Sequence, residues 1–122
     1  MEQFDWTQVS QIAPEELPDV ITTYLIAHQT RDIDSAIAHY TIDAVVTDEG
    51  RDHRGAAEIR TWLGRAATEY TYTTTLTAAY RADQDHFDVL HRLQGNFPGG
   101  IADLHFRFTL RDGLVARLII EP

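Results

Sequence analysis

The hydrophobic pattern of the chain changes its period once, near Tyr70, and this change restricts the fold more than any other feature. Before Tyr70, apolar residues recur at spacings of three and four, which is typical of amphipathic helices. From Tyr70 to Arg81, and in three later segments, they alternate with polar residues, which indicates half-buried strands. A block of helices followed by a block of strands predicts an α+β domain with helices on one face of a sheet.

Three helices are predicted before the change of period. The first begins at Leu17-Pro18-Asp19, because proline is tolerated in the first helical turn. The second begins near Asp34, which we expect to be its N-cap. The third is expected over Ala56 to Thr68, with Ala66 or Ala67 on its buried side.

Residues 1–16 have weak periodicity and are expected to form an N-terminal arm, while residues 17–122 form the folded domain. Phe4, Trp6 and Ile12 would let this arm cover an opening or contact a neighbouring subunit. The N-terminus lacks the basic start and the apolar stretch of a signal peptide. Together with the absence of cysteine, this leads us to expect a cytoplasmic protein.

A short apolar strand between the second and third helices leads into a turn that carries several charged groups. The run Val45 to Thr47 is β-branched, and Gly50 permits a tight reversal after it. Alternation places Asp48 on the side that faces the helices. A carboxylate in a partly desolvated cavity can act as a general base, and Asp48 is our candidate for that role. The alternative is a turn-capping carboxylate, or one that pairs with Arg51 or Arg54.

Histidines are the other candidates for proton transfer. His91 alternates with apolar residues and faces inward, where it could line a cavity or simply belong to the core. His28 lies near the end of the first helix and is a weaker candidate. His53 could lie at a cavity rim, although we expect it in solvent. Strand alternation separates the six histidines of the chain, so we expect no metal site.

The charge of the chain excludes several kinds of partner. A formal net charge of −9 argues against nucleic acids, which draw most of their affinity from basic residues, and against anionic membranes. No glycine-rich phosphate loop is present. A sheet that curves around helices tends to leave a cavity at its open end, so a small molecule is the expected partner.

Several segments, taken in order and spacing, resemble the nuclear transport factor 2-like superfamily, and specifically its SnoaL-like and ketosteroid isomerase-like branch. The resemblance covers roughly residues 17–121. It implies a cone-shaped, curved antiparallel sheet packed against three N-terminal helices and enclosing a cavity. The segments that carry it are Tyr24 to Ala27, Asp32 to Asp34, Tyr40 to Asp48, Gly55 to Ile59 with Trp62, and Leu104 to Phe108.

The resemblance also implies roles for individual residues. Asp48 falls at the position of the proton-shuttling carboxylate of ketosteroid isomerase, and Tyr24 at that of its oxyanion-stabilising tyrosine. The position of the second oxyanion donor is occupied by Leu104 here, which disfavours steroid isomerase activity. Related cyclases and dehydratases often pair an inward carboxylate with an inward histidine, and His91 is placed for that role.

The resulting hypothesis is a small-molecule enzyme of isomerase or lyase type that works without a cofactor. Asp48 would be the general base, with Tyr24 and His91 as further catalytic residues, on an apolar cyclic substrate such as a polyketide or terpenoid. The resemblance also implies a homodimer through the outer face of the sheet. The alternative is a non-catalytic ligand-binding or dimerisation module of the same fold. The expected substrate-binding residues are His28, Trp62, Phe97, Leu104 and Phe106.

Overall fold

The structure, a computed structural model, describes residues 4–69 and 71–122, without the side chains of residues 66–69. The expected strand start at Tyr70 and the expected burial of Ala66 or Ala67 lie outside this description. The helices are α1 (Asp19–Gln29), α2 (Ile33–Ala38) and α3 (Gly55–Glu69), and a short 3-10 helix covers Pro14–Glu16. The strands are β1 (Ser10–Ile12), β2 (Tyr40–Asp48), β3 (Arg51–Arg54), β4 (Tyr72–Arg81), β5 (His86–Gly95), β6 (Ile101–Arg111) and β7 (Leu114–Glu121).

The strands form one open sheet of seven strands in the order β1-β4-β5-β6-β7-β2-β3. Neighbouring strands run antiparallel except β2 and β7, which pair in parallel. This confirms the expected α+β fold of three helices against a sheet, and corrects its description as wholly antiparallel. The parallel pair arises because the chain crosses from the hairpin β2–β3 through α3 to the far strands and returns along β7 beside β2.

The core lies between the helices and the inner face of the sheet. Ile21 and Tyr24 of α1, Ile59 of α3, Val46 of β2 and Phe108 of β6 all have an exposed fraction of 0%. Burial of an apolar side chain of this size contributes about 1.5–3 kcal/mol, so this layer supplies much of the free energy of folding. The buried face of each helix follows the three- and four-residue spacing seen in the sequence.

The N-cap of α2 is Asp32, and the prediction of Asp34 is wrong. The Asp32 carboxylate accepts hydrogen bonds from the Ser35 backbone N–H at 3.2 Å and from the Ser35 hydroxyl at 2.8 Å. The helix begins at Ile33, so the capping side chain must be the one before it. Asp34 instead pairs with Arg60 of α3 at 2.7 Å.

Irregularities in two strands shift their phase relative to the sequence pattern. β2 begins at Tyr40, earlier than expected, and its register against β7 shifts between Tyr40 and Val45. In β4 the register shifts between Leu76 and Ala78, so that Ala79, and not Ala78, is fully buried. An extra residue in one strand of a pair bends the strand and moves the following side chains to the opposite face.

The described part of the N-terminal segment packs on the edge and the outer face of the sheet. Ser10–Ile12 pairs with β4 as an edge strand. Phe4 stacks on His86 with ring centroids 3.7 Å apart, and the Arg107 guanidinium lies 5.8 Å from the Trp6 ring centroid. The division of the chain at residue 16 stays a prediction, although this segment contributes a strand to the sheet.

The loop between β5 and β6 is anchored to the start of β4 where the two backbones approach closely. Asn96 donates its backbone N–H to the Thr71 carbonyl at 3.1 Å, and its side chain accepts from the Thr71 N–H at 2.8 Å. A Cβ at Gly95 would lie 2.3 Å from the Thr71 carbonyl oxygen and 2.5 Å from the Tyr72 Cβ. Glycine is therefore required here by the lack of space.

We expect Gly95→Ala to lower the free energy of unfolding by about 2 kcal/mol, because the backbone of β4 would have to move. The matched control is Gly64→Ala in α3, where the new Cβ would lie 3.9 Å from the Ile33 Cδ1, an ordinary contact. The control should raise the free energy of unfolding by about 0.5–1 kcal/mol, through helix propensity. Urea unfolding of both variants measures this, and equal effects would contradict the argument.

Candidate active site

A cavity of about 340 Å³ opens between the helices and the inner face of the sheet, and we call it the main cavity. Its size is at the lower end of the range of about 300–1,000 Å³ that is usual for small-molecule sites. The polar groups include His28, Asp48, Arg51 and His53. The apolar part of the wall is formed by Leu93, Phe97, Pro98, Ala102, Leu104, Phe106 and Ile120. The arrangement is a mostly apolar chamber with polar groups from several elements.

Asp48 is the last residue of β2, and its carboxylate lines the main cavity. Its Oδ2 accepts a hydrogen bond from the indole Nε1–H of Trp62 at 3.0 Å. The alternative pairing with Arg54 is not what the structure contains, since Arg54 pairs with Asp52 at 3.1 Å. The following turn uses positive φ angles at Glu49 (53°) and Gly50 (73°), which bring the chain straight back.

Trp62 holds Asp48 and two histidines in one cluster. Its side chain is 5% exposed, so its position is fixed by the packing of α3 on the sheet. The His53 ring stacks on the indole at 5.9 Å between centroids, and the His28 ring lies 5.6 Å away in a tilted orientation. The indole therefore orients the carboxylate and contacts both imidazole rings.

His53 faces the main cavity, whereas the sequence placed it in solvent. The two-residue turn pairs Asp48 with Arg51 and Val46 with His53. Residues paired across antiparallel strands point to the same face, so His53 shares the inner face with Val46. This register was the signal that sequence reasoning missed for His53 and Arg51.

Tyr24 lies beneath the main cavity and is not among the described residues that line it. It is fully buried, and burial raises the pKa of its hydroxyl well above the ordinary value. The Tyr40 hydroxyl donates a hydrogen bond to the Tyr24 hydroxyl, which lies 3.2 Å from Nδ1 of His28. The three side chains form a chain of hydrogen bonds that leads from the core to the cavity wall. Tyr40 is a member of this chain that sequence reasoning missed.

This chain of hydrogen bonds assigns the tautomer of His28. Because the Tyr24 hydroxyl accepts the hydrogen bond from Tyr40, its own O–H can donate to Nδ1 of His28. The neutral imidazole then carries its proton on Nε2, which has no hydrogen-bond partner among the described residues. Burial lowers the pKa of His28 to about 4, so the ring is neutral near pH 7. His28 thus offers one N–H donor at the cavity wall.

His91 lies behind the cavity wall. Its side chain is 0% exposed, and its ring packs against Phe106 with centroids 4.6 Å apart. Neither ring nitrogen has a hydrogen-bond partner within the described part of the chain. Burial, and secondly the nearby His28, lower the pKa of His91 to about 4. Of the residues expected at the site, Asp48, His28, Trp62, Phe97, Leu104 and Phe106 line the cavity, and Tyr24 and His91 do not.

Two kinds of feature are missing from residues 4–69 and 71–122. No group of three or more His, Asp or Glu side chains in these ranges is placed to hold a metal ion. No helix within them is long and apolar enough to cross a membrane.

The fold and the sequence both resemble solved structures. A candidate polyketide cyclase from Sinorhizobium meliloti is 33% identical, with a TM-score of 0.83, over 90% of this chain and 100% of that chain. No protein-family model matches the chain, and a comparison with curated proteins finds no significant match.

More distant structures share the fold alone. A protein with a ketosteroid isomerase-like fold from Catenulispora acidiphila, in complex with trimethylamine, is 18% identical, with a TM-score of 0.75 over 86% of this chain and 85% of that one. A Mycobacterium tuberculosis protein in complex with estradiol-17beta-hemisuccinate is 14% identical, with a TM-score of 0.71 over 85% and 91%.

Half-buried His28 and fully buried His91 predict a stability that falls in mild acid. Their folded-state pKa values of about 4 lie below the usual value of about 6.5, so between these values the unfolded chain binds protons that the folded chain does not. Each of the two histidines should therefore lower the free energy of unfolding by about 2 kcal/mol as the pH falls from 7 to 5. Urea unfolding at both pH values measures this. His91→Leu should remove about half of the drop, and an unchanged drop would contradict the assignment.

Proposed function

The chain belongs to the nuclear transport factor 2-like superfamily, in its SnoaL-like and ketosteroid isomerase-like branch, and on that premise we propose a cofactor-independent enzyme. It transfers a proton on a small apolar cyclic molecule bound in the main cavity. The observation that carries the proposal is the carboxylate of Asp48, which lies in a mostly apolar cavity with one oxygen bound by an indole N–H. A neutral histidine donor lines the same cavity.

Asp48 is the general base in this proposal. It removes a proton from a carbon next to a carbonyl group, and the electron pair of the C–H bond moves to the carbonyl oxygen as an enolate. The apolar wall supports the step, because a half-buried carboxylate has to shed less of its hydration shell before it accepts the proton than one in open solvent. The bond from Trp62 fixes the carboxylate and removes the need to order it during the reaction.

His28 stabilises the enolate oxygen in this proposal. A donor placed where negative charge develops lowers the barrier more in an apolar site than in water. The Nε2–H of His28 is such a donor, and Tyr24 acts through it as a positioning residue that holds Nδ1 as the acceptor. His91 takes no direct part, because it is fully buried and is not among the described residues that line the cavity.

The proton on Asp48 returns to the substrate in the second step. Delivery to a different carbon gives an isomerisation, and delivery to a departing hydroxyl gives a dehydration. Attack of the enolate carbon on a second carbonyl within the same molecule, followed by protonation of the new alkoxide, gives a cyclisation. Each of these outcomes leaves Asp48 ionised again, so that no external oxidant or reductant is required.

A second candidate function is non-catalytic binding of a small molecule in the same cavity. The observation in its favour is that one oxygen of Asp48 is already occupied by Trp62, so the carboxylate could serve only to orient a ligand. Two proteins of the same fold, solved in complex with trimethylamine and with estradiol-17beta-hemisuccinate, support this candidate because they bind small molecules of different chemistry.

We also propose the homodimer through the outer face of the sheet. That face carries the pair Arg92–Asp103 at 2.9 Å and a buried Asp88 bonded to His105 and Arg107. The dimer is supported by the family, and sedimentation velocity tests it: a monomer at micromolar concentration would contradict it. The cytoplasmic location stays a prediction from the sequence.

We expect Asp48→Asn to lower turnover by about 10²-fold or more, since an amide cannot accept the proton. The thermal midpoint should stay close to that of the unmodified protein, because the amide oxygen can still accept from Trp62. The assay is a panel of polyketide and terpenoid ketones followed by chromatography. Asp52→Asn is the control, since Asp52 pairs with Arg54 outside the cavity lining. No turnover by the unmodified protein on the whole panel would favour the binding function.

The assignment of the oxyanion donor predicts an order among three variants. His28→Phe removes the N–H at the cavity and should lower kcat by about 10²-fold. Tyr24→Phe removes the bond to Nδ1, and with it the acceptor of the Tyr40 hydroxyl, and should lower kcat by about tenfold with little change in KM. His91→Leu should leave kcat near its original value. Steady-state kinetics of the three variants with one substrate measures this order. A loss of kcat in His91→Leu equal to that in His28→Phe would contradict it and would make His91 a catalytic residue.

A further inference from the structure

Two arginines differ from the others because their guanidinium groups have no hydrogen-bond or ion-pair partner within the described ranges. The chain contains ten arginines and no lysine. Within the described ranges, the guanidinium groups of Arg31 and Arg51 have no ion pair and no hydrogen bond, whereas the other arginines contact carboxylates, backbone carbonyls or further groups. Both of them line cavities. A guanidinium without a partner at a cavity is available to an incoming anion.

Arg51 lies at the mouth of the main cavity. It is directly opposite Asp48 in the β2–β3 pair, so its side chain points to the same face as the carboxylate. It lines the cavity together with Leu104 and Phe106, and its residue is exposed to solvent on the other side. The cavity therefore combines an apolar wall with the exposed cation of Arg51, while the second arginine that lines it, Arg65, already has an interaction partner.

We propose that the ligand of the main cavity is an amphipathic carboxylic acid, with a flat apolar body and one acid group that pairs with Arg51. This deepens the proposed function and rests on it. The formal net charge of −9 gives the protein no general attraction for anions, so in the main cavity the preference for an acid depends on the local charge of Arg51.

The charges of the site also fix the direction of the ligand. Asp48 is half-buried whereas Arg51 is exposed, and the Asp48 carboxylate repels a second carboxylate, so the acid group stays on the solvent side at Arg51. The apolar body then enters first, against Leu104 and Phe106. A ring carbonyl near the inner end of that body would reach His28, and the carbon beside it would reach Asp48.

The expected size of the effect is modest because Arg51 is exposed. An exposed ion pair contributes up to about 1 kcal/mol, which corresponds to about a fivefold change in affinity. Glu49, the exposed neighbour at the same mouth, opposes part of the attraction. The preference should weaken as salt concentration rises, since exposed charges are screened.

The probes are 2-naphthoate and 2-naphthamide, which have the same ring and differ in the charge of one group. Isothermal titration calorimetry at pH 7 and low salt should show about fivefold tighter binding of the naphthoate by the unmodified protein. Arg51→Gln should abolish that preference and leave the affinity for the naphthamide unchanged. Arg51→Lys should keep part of it.

The matched control is Arg31→Gln, which removes the same charge from the other unpartnered arginine. Arg31 lines a separate cavity of about 280 Å³ between the ends of α1 and α2 and strand β4. This control should keep the preference for the naphthoate. Equal affinities for the two probes in the unmodified protein, or an equal loss of preference in both variants, would overturn the proposal.

Asp48→Asn separates this inference from the proposed function. Removal of the neighbouring negative charge should raise the affinity for the naphthoate, and the proposed function predicts that the same variant loses turnover. If Asp48→Asn loses turnover while the unmodified protein binds the two probes equally, the preference for acids is wrong and the proposed enzymatic function is retained. If the naphthoate is preferred and no ketone is turned over, Arg51 selects acids for a binding protein.

Discussion

The hydrogen bond of 3.0 Å from the indole of Trp62 to Asp48 joins the helical layer to the sheet at the place where the main cavity opens. Asp48 ends a strand beside a turn, where backbone pairing alone leaves the direction of a side chain open. The indole is almost fully buried, and a buried N–H without a partner costs about 1–3 kcal/mol, so the bond is favoured from both sides. Core packing of α3 therefore decides where the carboxylate points.

Regular alternation let the sequence predict the inner faces of β5 and β6, where Phe87, Val89, Phe106 and Phe108 are all buried as expected. Alternation alone does not give the inner face of the second half of β4, because one extra residue reverses the phase of all the residues that follow. Nothing in a run of threonines and alanines marks that residue. Pattern reasoning thus predicts strands and their faces up to the first bulge.

The position of Asp48 could be predicted from strand phase, but the roles of Tyr24 and His28 could not. Periodicity correctly placed Tyr24 on the buried side of α1. It does not show where the hydroxyl points, which depends on Tyr40 reaching the same spot from a distant part of the chain. Because Tyr40 donates to the Tyr24 hydroxyl, Tyr24 in turn donates to His28, which lies one turn further along α1. Side-chain contacts between elements are what the sequence leaves open.

The two buried histidines show that a lowered pKa does not by itself identify a functional group. Burial lowers the pKa of both His28 and His91 to about 4, and both rings are neutral near pH 7. They differ in what their nitrogens can reach. His28 has one nitrogen bound by Tyr24 and the other at the cavity wall, whereas both nitrogens of His91 are buried without a partner among the described residues, and its ring packs against Phe106. A donor must be both oriented and accessible, and only His28 meets both conditions.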